Sequence, residues 1–266
     1  MPTVLKNGRQ TDSPASLTPA SPAHVLEVED LGKSFAGKPV LEGIGFRLIQ
    51  GRVGCFLGPS GCGKSTLLRI IAGLEKPDGG RILSRIRRYA FIFQEPRLLP
   101  WLSAEDNIVF ALRGQDLSEA ERRRRAREAL RTVRLEAFRA QFPFELSGGQ
   151  RQRVAIARAL ATEPDLLLMD EPLANLDFPL RLALIEEMAS GVFADGRSAL
   201  YVTHDTREAV LACDDIYLLG FGPAKILARY EVSVPREKRS VEDPSLYALS
   251  NELTRELKAI AEQSGL

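Results

Sequence analysis

The stretch GPSGCGKST, residues 58–66, limits what this chain can fold into more than any other. It fits the pattern G-x-x-x-x-G-K-[ST], with the short apolar strand Arg52–Leu57 before it and the helix-forming STLLRIIAGL after it. Gly73 is placed to end that helix. A strand, a glycine loop and a helix in this order form a phosphate cradle. Along Gly58-Pro59-Ser60-Gly61-Cys62-Gly63-Lys64-Ser65-Thr66 the glycines let backbone N–H groups wrap a β-phosphate. Lys64 reaches the β- and γ-phosphates, and Ser65 can hold Mg²⁺. Residue frequencies make a chance match in 266 residues on the order of one in a hundred. A glycine turn capping a helix is therefore the weaker reading, and nucleoside triphosphate binding is expected.

A second anion site follows. LSGGQRQRVAIARAL, residues 146–160, runs a serine and two glycines into a helix. Ser147 is a good N-cap, and Gly148 and Gly149, followed by Gln150, are expected to leave backbone N–H groups open at the helix N-terminus. Beyond it, DLLLMDE (165–171) places four apolar residues between acids, as in a strand buried on both faces of a parallel sheet. Asp170, at its carboxyl end, is placed to act on an Mg²⁺ shell, and Glu171 to polarise an attacking water as general base. Taken alone, an apolar strand ending in Asp-Glu says little. Behind a phosphate loop it says much more.

The remaining order supports an α/β fold. Residues 1–24, rich in Ser, Thr and Pro, read as a disordered tail. Strands are expected at VLEVEDL, Val40–Ile49, Tyr89–Gln94, Ser198–His204 and DIYLLG, with helices near Pro179–Ser190 and Thr206–Ala212. Between Leu117 and Phe138, Ala120, Ala126, Leu130 and Val133 approximate a helical apolar stripe. The run Arg122–Arg125 reads as a solvated face, because Glu121 and Glu128 interrupt it; a phosphate or nucleic-acid contact is the other reading. The last stretch, 232–266, is charged and ends in a helix.

Net charge is +1, so no global field favours nucleic acid or an anionic membrane. No apolar run reaches the roughly 18–20 residues of a spanning helix, and the N-terminus lacks a signal-like apolar region. A cytoplasmic protein is expected. Cys55, Cys62 and Cys213 lack metal or redox spacing and read as reduced thiols.

Together, Gly58–Thr66, Gln94, LSGGQ, Asp170-Glu171, Asp177 and His204 resemble the ordered motifs of an ATP-binding-cassette ATPase over about residues 25–230. The resemblance implies a phosphate-loop NTPase (RecA-like) core, an antiparallel β lobe and an inserted α-helical subdomain at about 95–162. The cassette domain would span 25–231, with a short extension at 232–266. It implies ATP and Mg²⁺ as ligands and a head-to-tail dimer with a second copy, each ATP lying between the phosphate loop of one chain and the LSGGQ of the other. Two phosphate sites on one chain then make sense. Gln94 resembles the glutamine that senses Mg²⁺ and γ-phosphate, His204 the switch histidine, and Asp177 the aspartate at the dimer seam. Phe35 resembles the aromatic that stacks on adenine, against a core phenylalanine as the plain alternative.

The chain reads ANLD (174–177) where the family often has Ser-Ala-Leu-Asp, and the Gly73–Gln94 segment is short, so a trimmed hairpin is expected. QEPRLLPWLSAEDNI (94–108) is similar to importer ATPases for nitrate, sulfonates and taurine. The short C-terminal stretch agrees, because sugar-importer relatives carry a large β domain there. That resemblance implies integral-membrane permease subunits as partners, a solute-binding protein indirectly, no nucleic acid, and a place on the cytoplasmic face of the membrane. Leu98, Leu99, Pro100 and Trp101 would then belong to the permease-docking surface; Trp101 packing the helical lobe onto the core is the alternative. A soluble cassette acting on nucleic acid or ribosomes and a phosphate-loop GTPase are the competing readings. The first lacks a coiled-coil insertion or second cassette here, and the second lacks an Asn-Lys-x-Asp segment.

Overall fold

Strands β4 (Val53–Leu57), β7 (Leu166–Asp170), β8 (Ser198–Thr203) and β9 (Asp215–Leu219) are buried along their whole length. Such strands read as unbroken apolar runs because both faces of the sheet are covered. In this computed structural model, which describes residues 4–5, 24–174, 176, 178–188 and 196–263, the four pair in parallel. β6 (Tyr89–Ile92) joins β7, also in parallel, at one side. On the other side, β10 (Ile226–Glu231) runs antiparallel to β9. β1 (Val4–Leu5) lies outermost, pairing Val4 with Tyr230 and Leu5 with Arg229, so the sheet order is β1-β10-β9-β4-β8-β7-β6. Most of the segment read as a disordered tail lies outside the described residues. At Val4, Leu5 and His24, the first residue of β2 (His24–Phe35), the expectation of no secondary structure does not hold.

The period of two along each strand feeds two cores. Leu166 and Leu168 of β7 face one cluster together with Phe56, Leu67 and Leu68, while Leu167 and Met169 face the other with Cys55 and Tyr201. Each such side chain contributes about 1.5–3 kcal/mol on burial. The first cluster packs helix α1 (Lys64–Ile71) and a three-stranded antiparallel sheet against the main sheet. That sheet, ordered β3 (Lys38–Ile49), β2, β5 (Gly79–Ser84), is the antiparallel lobe.

The second cluster carries the helices α2 (Ala104–Ala111), α3 (Glu119–Thr132) and α4 (Gly148–Ala161), which form the inserted lobe. In α3 the buried residues are Ala126, Ala129 and Leu130, whereas Ala120 is exposed, so the apolar stripe begins a turn and a half later than its sequence implies. The arginine run is a paired, solvated face. Arg123 contacts Glu119 and Asp106, Arg124 contacts Glu121 and Glu128, and Arg125 contacts Glu121 and Glu163. The Arg124 and Arg125 guanidiniums hold the Glu121 carboxyl down to about 2.

Helix α5 (Phe178–Glu187) follows β7, and α6 (Thr206–Ala212) follows β8. The last helix, α7 (Pro244–Gln263), packs on α6, with Thr206 Oγ1 2.9 Å from Ser250 Oγ and 3.0 Å from Thr254 Oγ1. A buried ion pair fixes the chain leading to α7. Arg239, its side chain 2% exposed, donates from Nη2 to Asp214 Oδ1 at 2.8 Å. The other Asp214 oxygen accepts from Val53 N at 2.9 Å. Among the described residues no helix is long and apolar enough to cross a membrane.

Candidate functional site

The carboxyl ends of β4, β7 and β8 converge, and the site is built on the turns that leave them. After β4 the loop 58–63 turns back through Gly61 (φ +80°) and Gly63 (φ +110°), left-handed conformations that favour glycine. A side chain at 63 would also meet Val40 and Leu41 at 3.0 Å. Lys64 opens α1, with Ser65 and Thr66 in its first turn. Its buried Nζ donates to the carbonyls of Gly58 and Pro59, both at 2.8 Å. Burial pushes the Cys62 thiol up, with Lys64 opposing, so it stays a neutral packing residue.

Asp170 ends β7 and accepts a hydrogen bond at Oδ1 from Ser65 Oγ, 2.7 Å away. Burial pushes the Asp170 carboxyl up; the Ser65 bond opposes this, and the Glu171 charge adds to it. Glu171 has left-handed backbone (φ +44°) and donates its N–H to Val202 O at 3.0 Å. A non-glycine residue in that region carries strain of order 1–3 kcal/mol, which active-site turns often hold. The turn aims the Glu171 carboxylate between Lys64 and the His204 ring, with Oε1 3.8 Å from Lys64 Nζ and Oε2 3.2 Å from His204 Nδ1. His204 follows β8 directly. Ser65 and Asp170 present hard oxygens side by side, a donor set that suits Mg²⁺, which takes few protein ligands and completes its shell with water and phosphate.

At the second anion motif, Ser147 N-caps α4. Its Oγ accepts from Gln150 N at 3.2 Å, and Gln150 Oε1 accepts from Ser147 N at 2.8 Å, a capping box. Ser147 and Gly148 are exposed. Gly149 is not open as its sequence implies: it is buried, and a Cβ there would lie 2.3 Å from Leu180 Cδ2. Its small size serves helix packing instead. No hydrogen bond or ion pair joins 146–150 to 58–66 among the described residues.

Gln94 is exposed and lines a small cavity with Gly148, Arg151, Gln152 and Pro172; no hydrogen bond joins it to Ser65 or Asp170. Phe35 is 44% exposed, which removes the core alternative, and Lys33 Nζ lies 4.9 Å from its ring centroid. Asp177 lies outside the described residues. Trp101 is 68% exposed, so it does not pack the helical lobe onto the core, whereas its neighbour Leu98 does reach that core. Buried Asn107 holds this loop, donating from Nδ2 to the carbonyls of Leu99 and Leu102 and accepting from Leu99 N.

Two arginines carry roles that their sequence positions do not show. Arg158 of α4 donates to the carbonyls of Pro96 and Arg97, both at 2.8 Å, fixing the loop behind Gln94. Arg181 of α5 binds Asp205 and Glu208, just after His204, and the carbonyl of Leu176 in the turn after Glu171. Nothing local in the sequence marks either, because each acts across long separations.

A parallel sheet with a lysine-bearing glycine loop at the end of β4 and an Asp-Glu pair at the end of β7, one strand removed across β8, defines a phosphate-loop ATPase. Residues 41–174 match the family described as ABC transporter. Over 257 residues the chain is 39% identical to the aliphatic sulfonates import ATP-binding protein of Rhodopseudomonas palustris, covering 95% of this chain and 90% of that one. It is 40% identical to the spermidine/putrescine import ATP-binding protein of Bacillus cereus over 80% of this chain and 67% of that one. Among solved structures, the dimeric post-hydrolysis state of an ATP-binding cassette bound to ADP and Pi superposes with TM-score 0.68 at 30% identity, covering 79% of this chain and 99% of that one. The chain belongs to the ABC transporter family, and it is an ATPase whose hydrolysis is coupled to transport.

Proposed function

We propose that this chain is the ATP-hydrolysing subunit of an importer, bound to the cytoplasmic face of the membrane through a separate permease. The solute belongs to the sulfonate, nitrate or taurine group of small solutes, delivered by a solute-binding protein. The Leu-Leu-Pro-Trp run after Gln94 and the sulfonate relative support that solute class.

The observation that carries the chemistry is the Glu171 carboxylate held between Lys64 and His204, beside the Ser65–Asp170 pair. Lys64 and the amides of 58–66 hold the phosphates of ATP, with Phe35 as the adenine platform. Ser65 and Asp170, with Gln94 from the facing loop, would hold Mg²⁺, which offsets charge on the β- and γ-phosphates. Glu171 takes the proton of the water that attacks the γ-phosphorus, and His204 orients the γ-phosphate against it. The bond to the β-phosphate oxygen breaks and ADP leaves.

The exposed, capped N-terminus of α4 supports the dimer. Ser147, Gly148 and Gln150 contact the γ-phosphate bound to a second copy, with Gly149 packed behind them and Asp177 at the seam. With ATP and Mg²⁺, the Glu171→Gln variant should run as a dimer in light scattering, and adding Ser147→Arg should return it to monomer. Dimerisation of the double variant to the same extent would remove LSGGQ from the seam.

Trp101 supports the permease contact, because an exposed tryptophan on a loop pinned by a buried asparagine is ordered ahead of binding. Trp101→Ala should keep the wild-type melting temperature and weaken co-purification with the permease by tenfold or more, about 1.4 kcal/mol. Undiminished co-purification would move the docking surface elsewhere.

A further inference from the structure

The guanidinium of Arg181 reaches three oxygens on two separate segments, two by hydrogen bond and the third as an ion pair only. Nη2 donates to the Leu176 carbonyl at 3.0 Å. Nη1 donates to Asp205 Oδ2 at 2.9 Å, and Nε lies 3.3 Å from Glu208 Oε1. Leu176 closes the turn that starts at Glu171, in which Ala174 N donates to Glu171 O at 3.2 Å and Leu176 N to Leu173 O at 3.1 Å.

The two carboxylates follow His204 and tie it to the strand before it. Asp205 Oδ1 caps α6 by accepting from Arg207 N at 2.8 Å. Buried Glu208 accepts at Oε2 from Thr203 Oγ1 at 2.8 Å and from Tyr201 OH at 3.1 Å. Thr203 Oγ1 in turn accepts from Asp205 N at 3.0 Å. The residues before and after His204 are therefore fixed by one network that ends on Arg181. Among the described residues, no other cation lies within ion-pair distance of Asp205 or Glu208. Burial and the Asp205 charge push the Glu208 carboxyl up, and Thr203 and Arg181 pull it down, so loss of Arg181 leaves buried Glu208 beside half-buried Asp205 with no cation between them.

We propose that Arg181 is a positioning residue for hydrolysis: by binding the turn behind Glu171 and the carboxylates that follow His204, it sets the spacing of that pair. Its contacts are with the chain's own turn and carboxylates, and the inference rests on Glu171 and His204 acting as described above. A misplacement of about 1 Å at such a pair costs on the order of 10²-fold in rate.

The test is steady-state ATPase kinetics on the full chain with Arg181→Ala, Arg181→Lys, His204→Ala and the Arg181→Ala/His204→Ala double variant. Arg181→Ala should lower kcat by on the order of 10²-fold, with KM for ATP within about threefold of wild type. Arg181→Lys should recover part of that loss, because an ammonium can satisfy the acceptors only one or two at a time. The double variant should be within about twofold of His204→Ala alone, since both changes disable one unit. Wild-type kcat in Arg181→Ala, or fully additive losses in the double variant, would overturn the proposal. If Arg181→Ala fails to fold, Arg181→Lys carries the test: a kcat about tenfold down at unchanged Tm supports it, and wild-type kcat overturns it. Glu171→Gln run in parallel separates the two ideas. Lost turnover there with unaffected Arg181 variants sinks this inference alone, whereas retained turnover there sinks the reading beneath it.

Discussion

Glu171→Gln should bind ATP as tightly as the parent chain and turn it over about 10²–10⁴-fold more slowly. The amide keeps the size of the side chain and its hydrogen-bond reach to His204, but it cannot accept the proton of the attacking water. Lys64, with its donors on the Gly58 and Pro59 carbonyls, should hold its place, so the loss should fall on kcat alone. The check is single-turnover hydrolysis beside equilibrium binding of ATP. A variant that hydrolyses at the parent rate would take Glu171 out of the base role and leave a phosphate oxygen or another water to receive the proton.

The largest effect on stability is expected at Asp214, far from the chemistry. Asp214→Ala takes the counter-ion from the Arg239 guanidinium, 2% exposed, leaving it only the carbonyls of Leu211, Cys213 and Val234, and removes the acceptor of the Val53 amide. Burial already pushes that guanidinium down while Asp214 opposes. Breaking a buried pair from one side costs about 3–5 kcal/mol, a fall in Tm on the order of 10 °C for a chain of this size. The comparison is Arg47→Ala, which breaks an exposed pair with Glu27 and should cost under about 1 kcal/mol. Equal melting temperatures for the two variants would mean that the 232–263 segment is not anchored through Arg239.

What could be read from the sequence was local and periodic. The run Leu166–Met169 is apolar on both faces because two cores flank β7, and no other placement of four such residues beside a phosphate loop was needed. The phosphate loop itself is contiguous, so its geometry could be read off nine residues. Helix α2 was not placed individually within the 95–162 subdomain, although Ser103 and the acids Glu105 and Asp106 mark its start. β5 begins with two glycines, a poor strand signal, and is held by pairing with β2. Ala120 fell off the α3 stripe because its turn precedes the stretch of α3, from Ala126 on, that is buried where the helix packs on α2 and α4. Gly149 was misjudged for another reason: a glycine can expose a backbone or admit a neighbour, and only Leu180, thirty-one residues on, decides which. Arg181 carries no local signal, since its three partner oxygens come from two other stretches of chain.

The phosphate loop and the capped end of α4 sit on separate elements with no bond between them among the described residues. Under the head-to-tail arrangement each chain then contributes complementary halves to two different nucleotides. A mixture of chains damaged only at Lys64 with chains damaged only at Ser147 is consequently not uniformly dead. In each mixed pair one nucleotide meets both lesions and the other meets none, so an intact site reappears from two inactive parents. Mixed pairs make up half of a random mixture, so one site in four overall is whole, and like pairs yield none.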